Sequence, residues 1–151
     1  MATRQDMDKT LHRWYYDSLP RLGINRHIAS TWRTLPLCFQ GLGLPLFSLE
    51  KLADCLRIIQ RHWGSSSTLG KAIQCSFELV QLETGLEGNF LLRDFNRLGI
   101  LASHSWMKLL WELVSHYKVS VIFPTDIKIP PVRERDSILM EEVIRFLPPR
   151  H

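Results

Sequence analysis

The sequence predicts a mainly α-helical fold, five or six helices around one αα-hairpin, with at most a short β-hairpin. Two stretches and one scarcity carry that prediction. Across 49–63, Leu49, Leu52, Ala53, Leu56, Ile59 and Trp63 recur at helical spacing, while Glu50, Lys51, Asp54, Arg57 and Arg61 fall outside the stripe. Across 69–83, Leu69, Ala72, Ile73, Phe77 and Val80 repeat the pattern, and only Gly64–Thr68, with the polar Ser65-Ser66-Ser67 at its centre, lies between the two stretches. Two amphipathic helices with so short a connector fold back on each other. β-branched character, by contrast, is confined to Val119–Phe123, which needs a return strand at Ile127–Ile129 across Pro124-Thr125-Asp126. At 151 residues the chain is long enough for one core, and residues 1–151 are read as a single domain. Its 45 % apolar and 23 % charged content is that of a globular protein.

The elements follow in chain order. Residues 4–18 read as a helix with Met7, Leu11, Trp14 and Tyr15 inward, closed by Pro20 and Gly23. Tyr15-Tyr16 beside Arg13 offers rings that could stack on bases, though an aromatic stripe on a short helix is more often core. Asn25 is an N-cap for a short helix through Thr34, with Ile28 and Trp32 one turn apart and Pro36 as its end. Gln40-Gly41-Leu42-Gly43-Leu44-Pro45 is a rigid turn. Ser48 caps the helix 49–62, which Gly64 stops, and Thr68 caps the helix 69–83, which Gly85 stops. From Thr84 to Ser105 glycines punctuate an irregular stretch. Ser105 or Ser103 then caps a helix 106–117 with Trp106, Leu109, Leu110, Leu113 and Tyr117 on its face. Pro130-Pro131 is a stiff spacer, and a last helix spans 136–147.

Charge is unevenly placed. Residues 1–71 hold ten Lys/Arg against five Asp/Glu, a balance of +5, whereas residues 72–151 hold nine against ten, a balance of −1. Ser18 to Leu49 contains no acidic residue and carries Arg21, Arg26, His27 and Arg33. Such asymmetry suggests an anionic partner. Cys38, Cys55 and Cys75 lack zinc-knuckle or redox spacing, and their apolar settings predict buried, reduced thiols without metal or disulfide. The opening MATRQDMDKT is too charged for a secretory signal, and no apolar run approaches the roughly 18–20 residues of a bilayer span. An intracellular protein without a membrane partner is expected, cytoplasmic or nuclear.

Catalytic signals are sparse. The carboxylates stand singly, and Glu141-Glu142 point to different faces. Asp94 in its glycine-punctuated stretch reads as a cap or turn former rather than a metal ligand. Cys55 and His62 lie two turns apart without a second pair to complete a tetrahedral site. His104 and His116 flank one helix at opposite ends. GLGLP lacks the Lys-Ser/Thr of a phosphate loop. Neither an autonomous enzyme nor a bound cofactor is expected.

Five ordered segments carry a resemblance. Leu19-Pro20-Arg21-Leu22-Gly23-Ile24-Asn25-Arg26 is similar to a "PKLG-N-R" stretch, and Gln40–Pro45 to a "GGLGLP" turn. Gln81–Gly85 is similar to "QLEAG", and Ser105-Trp106 with Leu110-Trp111-Glu112 to "PTW…WEF". Arg133–Asp136 with Leu139-Met140-Glu141 is similar to "RE-D…LME". In this order, over about 19–147, the chain resembles the thumb and connector region just downstream of the reverse transcriptase domain in non-LTR-type retroelement polyproteins. Gln40 stands where that family often has glycine, and no Tyr/Phe-x-Asp-Asp motif is present. The resemblance implies a fragment or orphaned descendant without catalysis, and an upstream polymerase domain as a partner. A thumb packs on the template–primer duplex, so the resemblance implies that Arg21, Arg26, Arg33, Arg57 and Arg61 face the backbone of an RNA–DNA or DNA duplex, independent of sequence. The alternative is a protein-interaction or structural remnant whose basic strip is merely solvated.

Overall fold

Apolar residues at helical spacing set most of the fold. The structure, a computed structural model, describes residues 4–123 together with Val143, Ile144 and Phe146. Six helices occur in residues 4–123: α1 (Arg4–Ser18), α2 (Ser30–Thr34), α3 (Phe47–His62), α4 (Thr68–Thr84), α5 (Phe95–Leu98) and α6 (Trp106–Tyr117). Short 3₁₀ turns at Leu19–Leu22, Leu37–Phe39, Phe90–Leu92 and Gly99–Leu101 join them, and no strand occurs among the described residues. Residues 119–123 are irregular, and 127–129 lie outside the described residues. So does most of the expected helix 136–147, within which Val143, Ile144 and Phe146 are helical. None of the described helices is long and apolar enough to cross a membrane. Contacts gather the chain into two compact units, Met1–Leu56 and Arg57–His151, and the division falls inside α3.

In the first unit the core is Leu11, Tyr15 and Leu19, one turn apart along α1 and its 3₁₀ extension, with Ile24, Ile28, Leu42 and Leu44 packed against them. Trp14, expected inside, is 66 % exposed, because Leu11, Tyr15 and Leu19 set the inner face and Trp14 lies off it. Gly23 ends the turn at φ +74°, its N–H reaching the Pro20 carbonyl at 3.1 Å. Asn25 does not start a helix. Its Oδ1 accepts the His27 N–H at 2.9 Å in a local turn, and α2 begins only at Ser30. Ser48 is likewise inside α3 rather than its cap. It is fully buried, and the Asp8 carboxylate from α1 accepts both its hydroxyl (2.9 Å) and its N–H (3.3 Å).

In the second unit Ser67, not Thr68, caps α4, accepting the Gly70 N–H at 3.0 Å. Gly70 lets the connector close tightly: a Cβ there would fall 2.7 Å from the His62 carbonyl oxygen. Ile73, Phe77 and Val80 are buried as expected, whereas Leu69 is exposed at the first turn. α4 leans on α6, whose buried residues are Met107, Leu109, Leu110, Trp111, Leu113 and Val114. An aromatic chain runs through the core. Trp63 meets Phe77 (5.5 Å between centroids), Phe77 meets Phe90 (4.4 Å), and Phe90 meets Trp111 (5.1 Å). Trp111 Nε1–H donates to the Arg93 carbonyl at 3.0 Å, so the largest buried ring leaves no donor stranded. Asp94 caps α5 through the Asn96 N–H at 3.0 Å, the structural role expected of it.

Candidate nucleic-acid interface

The acid-free run of the first unit folds onto α2. A five-residue helix leaves its last carbonyls without helical partners, and the glycine turn supplies the missing donors. Leu42 N–H reaches the Trp32 carbonyl (2.9 Å), Gly43 N–H that of Leu35 (2.9 Å), and Leu44 N–H that of Arg33 (2.8 Å). A Cβ on Gly41 would overlap the Leu35 carbonyl, so that position tolerates only glycine. Gln40 sits at φ +60°, in the left-handed region. Tyr15 fastens the turn to α1, its hydroxyl donating to the Pro45 carbonyl at 2.8 Å, and burial pushes its pKa up.

The three arginines of this run separate by environment. Arg33 is only 6 % exposed. Its Nε and Nη2 donate to the Ile28 carbonyl (3.1 and 2.9 Å), Nη2 also to the Arg26 carbonyl (3.0 Å), and Nη1 to His12 Nδ1 (2.8 Å). Its planar fork is thus spent on the turn that replaces the expected helix start at Asn25. The Arg33 guanidinium is therefore committed within the first unit. The cavity beside it, bounded by His12, Tyr15 and Leu46, is about 110 Å³, small against the roughly 300–1,000 Å³ of ligand pockets. Arg21 is exposed on the 3₁₀ turn. Arg26 is exposed with its guanidinium over the Tyr16 ring, 5.5 Å from the centroid, and His27 meets the same ring edge-on at 5.9 Å.

No family model, curated protein or solved structure matches this chain.

In the second unit Arg57 and Arg61 lie one turn apart on the exposed side of α3, Arg61 in its last turn where the helix dipole favours cations. Arg57 is already engaged within the chain. Among the described residues no ion pair occupies Arg21, Arg26 or Arg61. The cysteines also divide. Cys55 is buried and its thiol pushed up by that burial, while Cys38 and Cys75 are exposed, contrary to the expectation of three buried thiols. No group of three or more metal-ligating side chains occurs among the described residues.

An aromatic stripe on a short helix is expected in the core, and the structure splits the Tyr15-Tyr16 pair. Tyr15 is core and Tyr16 is 36 % exposed. The signal that separates them is the four-residue step from Leu11 through Tyr15 to Leu19, from which Tyr16 is displaced by about 100° on the helix.

Proposed function

We propose that this chain is a non-catalytic module that contacts nucleic acid through its phosphates without reading sequence, and that it shares its origin with the region after a retroelement reverse transcriptase domain. Arg26 carries the reading. It is exposed, it lies on the Tyr16 ring, and it belongs to a run of residues without a carboxylate. A guanidinium braced on a ring is preorganised for a phosphate oxygen, and the ring beneath it is a surface for a neighbouring base. Arg21 extends the charge along the same run, and Arg61, exposed in the last turn of α3, adds a further cation beside Arg57, which is already engaged within the chain. Arg33 is withdrawn from the contact set, since its hydrogen bonds hold the turn. The left-handed Gln40 supports the likeness to a "GGLGLP" turn, because glycine at that position suits the same backbone. An upstream polymerase domain is the protein partner this origin implies.

Fluorescence anisotropy with RNA–DNA and DNA duplexes tests the proposal. Binding in the micromolar range or weaker at physiological salt, alike for unrelated sequences, is the expected result. A folded protein that binds neither duplex at low salt would leave the protein-interaction reading. That reading has its own observation: Leu37 and Phe39 on the second 3₁₀ turn are 76 % and 65 % exposed.

A further inference from the structure

α4 is apolar on two faces. The inner face, Ile73, Phe77 and Val80, is core. On the opposite face Ala72, Cys75, Leu79 and Leu82 recur at helical spacing, and all four are exposed, Leu79 at 51 % and Leu82 at 65 %. A soluble helix with one core face shows a polar outer face, so a second stripe along α4 marks a contact surface. Lys71 and Glu78, both exposed, lie two turns apart along one flank of this stripe.

We propose that this stripe is the self-association face of the protein, occupied by α4 of a second copy running antiparallel. The charges choose this occupant. In an antiparallel pair whose two-fold axis passes beside Gln74 and Cys75, the flank of one helix meets the same flank of the other in reverse. Each Lys71 then faces Glu78 of the second copy, giving two reciprocal ion pairs. In a parallel two-fold pair the same flanks lie on opposite sides of the contact, so Lys71 and Glu78 of the two copies would not meet and the ion pairs would be lost. The same register places the small residues Ala72 and Cys75 near the axis, where the helices approach most closely, and sets Leu79 of each copy level with Gly70 in the first turn of the other. One helix pair buries less area than a permanent dimer needs, so the association is weak and reversible. It stands independently of the nucleic-acid reading.

Cross-linking tests it on the full-length chain. Cys38→Ser removes the other exposed thiol, and a short bismaleimide should then bridge Cys75 to Cys75 and yield a covalent dimer, while Cys38→Ser/Cys75→Ser should yield none. Leu79→Lys, an exposed change that leaves the core intact, should abolish the dimer. Lys71→Glu alone should suppress it, and Lys71→Glu/Glu78→Lys should restore it. Circular dichroism on each variant confirms folding. A cross-link that survives Leu79→Lys, or a double charge reversal that fails to rescue the single one, would overturn the proposal. So would sedimentation showing a monomer at every concentration where cross-linking succeeds.

Discussion

The residue that most changes the meaning of the basic run is Arg33. From the sequence it is one more positive charge between Arg26 and the glycine turn. In the fold it donates to the carbonyls of Arg26 and Ile28 and to His12. Those acceptors exist only because Asn25 diverts the chain into a turn, which side-chain periodicity does not report. Arg33→Ala should therefore cost about 2–4 kcal/mol in chemical denaturation, as loss of a buried hydrogen-bonded network does, whereas Arg21→Ala and Arg26→Ala should each stay within about 0.5 kcal/mol. Equal, small shifts for all three would contradict the division. Gln40 offers a second residue-level test. A non-glycine residue in the left-handed region costs roughly 1–2 kcal/mol, which exceeds the extra unfolded entropy of glycine. Gln40→Gly should raise stability by about 0.5–1 kcal/mol, read as a higher denaturant midpoint at unchanged slope.

At the scale of elements, helix existence was legible and helix beginnings were less so. α1 and α6 fall on the residues that the apolar spacing and stops indicated, and α4 extends its expected range by one residue at each end. Ser48 reads as a cap in the sequence, but the acceptor at the start of α3 is Asp8, distant in sequence, and tertiary capping leaves no local motif. Asp8→Ala removes a carboxylate from the first turn of α3 and deprives the buried Ser48 hydroxyl of that acceptor. A loss of about 1–2 kcal/mol, seen as a lower melting temperature, is expected. The hairpin stripes separate in the same way. Phe77 is fully buried against Trp63 and Phe90, so Phe77→Ala should cost about 3–5 kcal/mol. Leu56, central on the sequence stripe, is only half-buried, and Leu56→Ala should cost clearly less. An equal effect at both sites would show that Leu56 carries more of the core than its exposure indicates.

For the molecule as a whole, the uneven placement of positive charge is legible in the sequence, but the availability of each arginine is not. Net charge counts every arginine, yet a phosphate meets only those whose guanidinium is exposed and uncommitted, and that distinction comes from burial and hydrogen bonding. The aromatic partner of Arg26 was hidden for a related reason, since Tyr15 and Tyr16 are alike in type and differ only in which side of α1 they occupy. The salt dependence expected of the proposed duplex binding follows from the exposed arginines. Each phosphate contact releases condensed counterions, giving a slope of about −0.9 per contact in log K against log salt on B-form DNA. The most direct test compares this slope for the wild-type chain and for Arg21→Ala/Arg26→Ala, using anisotropy on one DNA duplex across a salt series. The account predicts weaker binding and a slope shallower by about two units in the double variant, with thermal stability unchanged. An unchanged slope in a folded double variant would contradict it.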